Sequence, residues 1–305
     1  MARFGLFISA CALATAMYAS EIPPGSGVPV SVLVTIEGKG DNGAPHVTPD
    51  DILVSQSKQR REVTSIEPVK QANGRQLWIL MDDGLTGNFS TQINDLHQFI
   101  MAQPATTQIG IGYVRNGMVE KVQPLTSDHA AASKAIRLPT GPPGIAAEPY
   151  SALEDLIKKW PQGVAAREVL LISSGVDPIY GPGPENPYLL AAIHEAQKAG
   201  VVVDSIFYPG SGWIGHSGRQ LFWGQDYLSE LDQDTGGEFY WIGNRSPVTI
   251  TPYLDDLDQR MNGQYLLTFL AKPESKSGLQ AVRIKSELPK VKLAAPSQVY
   301  VPASK

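Results

Sequence analysis

Two hydrophobic patterns alternate along the middle of the chain. Short runs that are apolar throughout, typical of strands covered on both faces, are followed by segments whose apolar residues recur every three or four positions, typical of amphipathic helices. The predicted strands are residues 77–81, 109–115, 168–172, 201–207 and 238–242. The predicted helices are residues 93–100, 150–160, 188–199, 226–233 and 252–262. This alternation predicts an α/β fold with a doubly wound, mostly parallel sheet.

One pair of strands interrupts the parallel series. Asn116 and Gly117 separate the apolar run 109–115 from a second strand-like run at 118–122. Both residue types accept positive φ angles, which a two-residue hairpin turn requires at its two central positions. We therefore expect one antiparallel strand beside an otherwise parallel sheet.

Strand-like patterns return on both sides of this α/β region. Residues 29–70 and 263–305 hold short β-type runs separated by turn-forming residues. Because the termini of a domain often lie close together, we expect the two segments to pack against each other. The chain then divides into a flexible leader, an N-terminal β segment, an α/β domain and a C-terminal β segment, at residues 21–28, 29–70, 75–262 and 263–305.

Residues 1–20 have the anatomy of a secretory signal peptide, with a basic start, an apolar run and small residues at the end. The apolar run is shorter than the ~20 residues that span a bilayer, and we predict no transmembrane anchor elsewhere. Residues 8–11 resemble a lipobox, but the short apolar run argues against a lipid anchor at Cys11. We predict an extracytoplasmic protein, periplasmic or secreted.

Composition excludes several classes of function. The chain has 305 residues, 42% of them hydrophobic, and a formal net charge of -5. An acidic chain without a basic run is poorly suited to nucleic acid, so we expect no nucleic-acid partner. With 5 His and 1 Cys, the sequence has no Cys/His zinc framework and no internal disulfide. It also contains no Gly-x-Ser-x-Gly nucleophile elbow and no phosphate-binding loop.

Polar residues follow two of the predicted core strands. Residues 82–86 (Asp-Asp-Gly-Leu-Thr) follow the first strand, and residues 173–177 (Ser-Ser-Gly-Val-Asp) follow the strand 168–172. In a doubly wound sheet, ligands bind outside the carboxyl ends of the strands, near the point where strand order reverses. These ends are therefore the predicted functional face. Asp, Ser and Gly are also common there for turn chemistry alone, and that alternative stays open.

The order of these features resembles that of von Willebrand factor A domains. The resemblance covers residues 75–262, and the β segments on either side are similar to those of the von Willebrand factor A-related proteins of acidobacteria. It implies a Rossmann-like α/β fold with flanking antiparallel β segments, and a role in adhesion or scaffold binding. The matching segments are the strand that ends at Asp82, the hairpin at 116–117, the strand that leads to Ser173-Ser174-Gly175, the strand 201–206 after Gly200, and the helix before Thr235-Gly236-Gly237.

The usual site of that family holds a divalent cation, and the resemblance carries it onto this chain only in part. Asp82 matches the first Asp of the family's Asp-x-Ser-x-Ser motif and Thr86 matches its second hydroxyl, so these two would ligate Mg²⁺ or Ca²⁺. Gly84 replaces the first hydroxyl, and Ser174 replaces the Asp of Thr-Asp-Gly. Hard cations take about six oxygen ligands. The resemblance therefore implies a degenerate metal-ion-dependent adhesion site, and we expect no cofactor.

We predict a protein-binding or scaffold module without enzymatic activity, for a partner protein that the sequence does not identify. Its partner face would comprise Asp83, Ser174 and Asp177, together with Trp213 from the long loop 208–223. Asp83 or Asp177 could also fill the missing ligand positions. Two alternatives stay open: an extracytoplasmic hydrolase that uses the same strand ends, for which we can assign no nucleophile–base pair, and an envelope protein whose β segments mediate assembly.

Overall fold

The computed structural model describes residues 27–38, 46–69, 74–85, 87–141, 148–161, 163, 166–177, 183, 185–209, 217–243 and 247–303. The predicted signal peptide and most of the leader lie outside these residues. Two predicted site residues, Thr86 and Trp213, also lie outside them.

The strands of the described chain belong to a central sheet and two smaller sheets. The strands that precede the α/β region are β1 (Val28–Gly38), β2 (Ile52–Gln56), β3 (Gln59–Arg61) and β4 (Val63–Pro68). The central sheet contains β5 (Arg75–Asp82), β6 (Thr107–Arg115), β7 (Met118–Thr126), β8 (Ala166–Ser173), β9 (Val201–Phe207) and β10 (Phe239–Trp241). The final strands are β11 (Gln264–Ala271), β12 (Gly278–Ser286), β13 (Val291–Ala294) and β14 (Gln298–Val301).

The central sheet confirms the predicted α/β fold. Its strand order is β10-β9-β8-β5-β6-β7. β7 pairs antiparallel with β6, and every other pair of neighbouring strands in this sheet is parallel. This is the doubly wound order, in which the chain runs outward from β5 in one direction and then outward from β8 in the other. The switch point therefore lies between β5 and β8, whose carboxyl ends carry the predicted site residues.

Helices cover both faces of this sheet. They are α1 (Ile93–Ala102), α2 (His129–Lys134), α3 (Pro149–Lys158), α4 (Pro187–Ala199), α5 (Gly218–Thr235) and α6 (Thr251–Asn262). Leu77, Ile79 and Met81 of β5 pack in one core with α1 and α6. Trp78 and Leu80 point to the other face and pack with α3, α4 and α5. Burial on both faces explains why β5 reads as an unbroken apolar run.

The hairpin prediction is also confirmed. β6 and β7 pair antiparallel, and Asn116 and Gly117 form the turn between them with φ angles of 49° and 69°. Both angles are positive, as the right-handed twist of a two-residue hairpin demands.

The predicted extent of the loop 208–223 was wrong. Helix α5 begins at Gly218, so Phe222 and Trp223 belong to its first turns. Ser217 caps the helix: its hydroxyl accepts from the Gln220 amide, and the Gln220 side chain accepts from the Ser217 amide at 2.7 Å. This capping box outweighs the Gly-rich composition that suggested a loop.

The strands outside the central sheet form two four-stranded sheets, ordered β13-β1-β11-β4 and β14-β12-β2-β3. β1 pairs antiparallel with β11 along Val28 to Thr35, so chain segments far apart in sequence share one sheet. Val32 of β1, Phe269 of β11, Val54 of β2 and Val301 of β14 lie in one buried cluster. The two sheets therefore pack face to face as a β-sandwich.

A buried polar network joins the β-sandwich to the amino ends of the central strands. Arg75 of β5 donates to both Glu168 of β8 and Gln264 of β11, at 2.7 Å each. Beside it, Arg260 of α6 lies 2.8 Å from Glu37 of β1 and 4.0 Å from Asp204 of β9. Burial and the neighbouring Glu168 raise the pKa of Asp204 well above its ordinary value. The sandwich thus occupies the end of the sheet opposite the predicted site.

Gly110 of β6 allows close packing on the central sheet. A Cβ atom at Gly110 would lie 2.6 Å from the ring of Trp78, which is held edge-on against Trp160. Such a contact is too short for any real Cβ, and the Trp78 ring already packs against Trp160, so the ring could not shift without disturbing that contact. Gly110 is therefore required for packing.

We expect Gly110→Ala to lower the free energy of unfolding by about 1–3 kcal/mol, the ordinary cost of overpacking a core. Urea denaturation followed by Trp fluorescence measures this difference. The matched control is Gly278→Ala on β12, where a Cβ would meet nothing within 4 Å; its effect should stay within about 0.5 kcal/mol. Equal effects of the two substitutions would contradict this packing argument.

Candidate functional site

The candidate site lies at the switch point, where β5 ends in Asp82 and β8 ends in Ser173. The two strands are direct neighbours, with Met81 opposite Ile172. Their carboxyl ends therefore bring the two predicted polar segments together. Asp82, Asp83, Ser173, Ser174 and Asp177 are all buried.

Asp82 is the central carboxylate of the site. Its Oδ1 accepts a hydrogen bond from the Gly84 amide at 2.9 Å, while its Oδ2 is buried and has no hydrogen-bond partner among the described residues. Burial, together with the charge of Asp83, raises the pKa of Asp82 to about 6, against the weaker opposing effects of the Gly84 amide and the Ser173 hydroxyl. An unpaired carboxylate oxygen in a buried place costs free energy.

Asp83 is directed away from Asp82 and holds a neighbouring segment in place. Arg137 donates to its Oδ1 at 2.7 Å, and the Thr140 amide donates to the same oxygen at 3.0 Å. Arg115 lies 3.9 Å from Oδ2. The guanidinium of Arg137 also stacks over the ring of Tyr113, 3.8 Å from its centroid. The Asp83 carboxylate is thus engaged in an ion pair at the edge of the site.

The serine hydroxyls of the second segment accept hydrogen bonds from the turn that follows them. The Gly175 amide donates to Ser173 Oγ at 3.0 Å, and the Val176 amide donates to Ser174 Oγ at 3.4 Å. Gly175 has a φ of 67°, and a Cβ there would collide with the backbone of Gly224 on α5. These contacts fix a tight turn between β8 and the α5 surface.

Asp177 lies in a second buried polar group at the same end. Asn186 donates to Asp177 Oδ2 at 3.3 Å and at the same time caps α4 through its Oδ1. Tyr150 of α3 donates to the Gly175 carbonyl at 2.8 Å. Burial and the nearby Asp177 raise the pKa of Glu148. The side chain of Asp177 therefore helps to connect α3, α4 and the turn after β8.

The described residues do not fit a divalent cation. Asp82 offers one buried carboxylate oxygen, but Gly84 has no hydroxyl and Asp83 is paired with Arg137. Among the described parts of the chain, no cluster of three or more His, Cys, Asp or Glu is placed to hold a metal ion. A hard cation takes about six oxygen ligands, and the described residues supply too few of them in this arrangement; Thr86, the other predicted ligand, lies outside the described residues.

Several residues of this site were not predicted from the sequence. Arg137 follows a short helix in a region without a motif, so no local signal marked it. Tyr150 read as an ordinary helical residue. Asn186 could have been found, because Asn followed by Pro187 is a signal for a helix start. In the structure Asn186 is the N-cap of α4, and its side chain accepts from the Tyr188 amide at 2.9 Å.

Comparison of the sequence with protein-family models and with curated proteins finds no match. Solved structures do match. An aerotolerance-related membrane protein from Bacteroides fragilis, solved with multiple mutations to serines, is 14% identical; the alignment covers 62% of this chain and 99% of that one, with a TM-score of 0.42. The SpRpn10 VWA domain is 14% identical, with 60% and 93% covered and a TM-score of 0.40. The human COPII-coat protein Sec24c is 9% identical, with 79% and 46% covered and a TM-score of 0.40.

The central sheet is doubly wound and mostly parallel, with one antiparallel edge strand, and this is the α/β fold class that the sequence predicts. The narrower resemblance to acidobacterial proteins stays a prediction. The structure brings Asp82, Asp83, Ser174 and Asp177 to one end of the sheet.

We expect Asp82→Asn to stabilise the protein at neutral pH. Because the folded state raises the pKa of Asp82 from 3.8 to about 6, the stability linked to its proton is fully present below pH 3.8 and is lost as the pH rises through about 6. The ionised group then costs about 3 kcal/mol, which Asn avoids. Denaturation at pH 7.5 should show most of this gain, and the gain should shrink toward zero near pH 4.

The adjacent residue provides the matched control. Asp83→Asn removes the carboxylate that pairs with Arg137, so the same chemical change should destabilise the protein at pH 7.5. A destabilising effect of Asp82→Asn at neutral pH, or a gain that does not depend on pH, would contradict the assignment of Asp82 as a buried, poorly compensated carboxylate.

Proposed function

We propose that this protein is a non-enzymatic protein-binding module whose partner face is the carboxyl end of the central sheet. The observation that carries the proposal is that the polar side chains at the switch point are engaged in hydrogen bonds within the protein. Asp83, Ser173, Ser174 and Asp177 each accept hydrogen bonds that fix the local backbone or a neighbouring side chain. A switch point is where such folds bind ligands, and here buried hydrogen bonds hold the backbone beneath the exposed residues at this end of the sheet.

The same contacts speak against the hydrolase alternative. A serine nucleophile is usually activated by a base that a third group orients. The Ser173 and Ser174 hydroxyls accept from backbone amides, and the carboxylate near Ser173 is that of Asp82, whose Oδ1 is held by the Gly84 amide. The histidines of the described chain lie on other elements. His129, for example, is hydrogen-bonded to the Thr107 carbonyl at the amino end of β6, at 2.8 Å. A pairing of nucleophile and base is therefore not supported.

We regard Asp82 as the remnant of a cation site, and the module as independent of metal. The resemblance to von Willebrand factor A domains supports the binding role, because adhesion and scaffold binding are the usual activities of that family. The incomplete donor set around Asp82 supports the loss of the cation. Binding would then depend on the protein surface at this end of the sheet.

Exposed side chains around the site offer such a surface. Met118, next to the hairpin turn, is 62% exposed, and Leu138, next to Arg137, is 48% exposed. Arg115 ends β6 at the same edge, and about half of its side chain is exposed. Met and Arg are enriched in protein interfaces. This rim, defined by Arg115, Met118 and Leu138, is the proposed contact surface.

We further propose that the protein works outside the cytoplasm, either in the periplasm or after secretion. The signal-like composition of residues 1–20 supports this location. Within the part of the chain that the structure describes, every helix is too short or too polar to cross a membrane. We also propose residues 75–262 as the binding domain, with the β segments 29–70 and 263–305 as its support.

Site-specific photo-crosslinking tests the partner face. With p-benzoylphenylalanine in place of Leu138, in the native host, we expect one discrete crosslinked protein that excess unmodified protein competes away. Met101, 57% exposed at the end of α1, is the matched control position, because it lies at the opposite end of the sheet. Crosslinking that is equal at both positions, or absent at Leu138, would count against this face.

Thermal unfolding tests the independence from metal. A cation that binds the native state at 100 times its Kd would stabilise it by about 2.7 kcal/mol. We expect the melting temperature to be the same in EDTA and in millimolar Mg²⁺ or Ca²⁺. A rise in melting temperature that disappears in Asp82→Ala would show a working cation site and overturn the degenerate-site proposal.

A further inference from the structure

β1 is paired on only one side over most of its length. In an antiparallel ladder, alternate residues direct their backbone groups toward each neighbour. The Ile36 amide donates to the Gly263 carbonyl at 2.9 Å, on the β11 side. Counting back in steps of two, Val34 and Val32 also face β11, whereas Leu33 and Ser31 direct their backbone N–H and C=O groups to the opposite side.

That opposite side is filled only at the far end of β1. β13 pairs with Thr35 to Gly38. The chain then leaves β1 after Ala294, and the next strand, β14, pairs with β12 instead. Among the described residues, no strand pairs with β1 beside Ser31 and Leu33.

A groove of about 260 Å³ lies along this open edge. One wall is β1 itself, the other is formed by β14 and the residues around it, and the turn from α4 into β9 forms the base. Among the described lining residues, Lys198 is the only charged one. Gln197 also lines the groove; its side chain is buried, and its Oε1 has no hydrogen-bond partner among the described residues. The apolar lining residues include Leu33, Val201, Val202, Pro296, Val299 and Pro302.

We propose that this edge of β1 takes up an extended peptide segment of a partner protein as an added strand. Backbone donors and acceptors at Ser31 and Leu33 would bind the peptide main chain, and the apolar walls would receive alternate side chains, as in other strand additions. The added strand would continue the line of β13 along β1. This surface is at the opposite end of the sheet from the rim, so the proposal is independent of the proposed function.

A partner's peptide fits this groove better than the other candidate occupants. Strand pairing requires a separation of about 4.8 Å, and β14 and the α4–β9 turn flank the edge of β1, so two folded copies could not bring their β1 edges so close. Residues of this chain before Gly27 include Pro23 and Pro24, which cannot donate the required hydrogen bonds. A single extended segment from another protein has neither restriction.

The test uses the full chain labelled with ¹⁵N and the acetylated, amidated peptide Thr-Val-Thr-Val-Thr, whose residues all favour strands. Amide hydrogen exchange is followed by NMR with and without about 1 mM peptide, a concentration that detects even weak binding. We expect the Ser31 and Leu33 amides to exchange fast in the free protein and to slow by about tenfold or more with peptide. The amides of Val32 and Val34 should be slow in both.

A pair of variants separates backbone from side-chain effects. Ser31→Pro removes the N–H that faces the groove, at a position type already occupied by Pro29 in the same strand, and should weaken peptide binding about tenfold. Ser31→Ala keeps the N–H and loses only the hydroxyl that contacts Thr268 at 2.9 Å, so its affinity should match that of the unchanged protein. If Ser31→Pro fails to fold, the exchange measurement decides alone.

Three results would overturn the proposal. Slow exchange at Ser31 and Leu33 in the free protein would mean that the edge is already covered, by a second copy if the protection grows with protein concentration and by the chain itself if it does not. Peptide binding without slower exchange at these two amides would place the peptide elsewhere. No change in any amide at about 1 mM peptide would show that the groove accepts no strand.

Discussion

The buried polar network between the β-sandwich and the central sheet is the constraint on which the rest of this structure depends. Arg75, the first residue of β5, donates to Glu168 and to Gln264 at the start of β11, while Arg260 links α6 to Glu37 of β1. Removing one partner of a buried ion pair costs about 3–5 kcal/mol, because the remaining charge is left without compensation. The network therefore fixes the sandwich against the amino ends of the parallel strands, and the carboxyl ends stay clear of it.

This placement explains why the carboxyl end of the central sheet and the open edge of β1 offer different chemical groups. At the carboxyl ends the backbone turns sharply after β5 and β8, and short polar side chains such as Ser173 are needed to hold those turns. At the opposite end two chain segments distant in sequence meet in one sandwich, and the paths of β13 and β14 leave part of β1 without a neighbour. The first surface is specified by side chains and the second by unpaired backbone groups, so their ligands would be recognised by different chemistry.

The central sheet could be predicted because its signals are local. An unbroken apolar run identifies a strand that is covered on both faces, and Asn116-Gly117 identifies a hairpin, without reference to the rest of the chain. The same holds for Asp82, which ends its strand at the switch point. The pairing of β1 with β11 joins Val34 to Tyr265, and no local pattern specifies such a register. Arg137 was missed for the same reason, since its role comes from Asp83, a contact made only in the folded chain.

Charged residues inside the apolar strands can be recognised from the sequence, but their partners cannot. Glu168 and Asp204 interrupt runs of Val, Leu and Ile, and a charge in such a position needs a partner on another element. The sequence therefore indicates that a buried contact exists, but Arg75 and Arg260 could be assigned to it only from the folded chain. Asp82 also follows an apolar run, and its Oδ2, like Oδ2 of Asp204, has no hydrogen-bond partner among the described residues. It differs in forming no ion pair with an Arg or Lys of the described chain, whereas Glu168 pairs with Arg75 and Asp204 lies beside Arg260. The two carboxylates that lie beside arginines join the sandwich to the central sheet, whereas Asp82, at the switch point, costs stability when it is ionised.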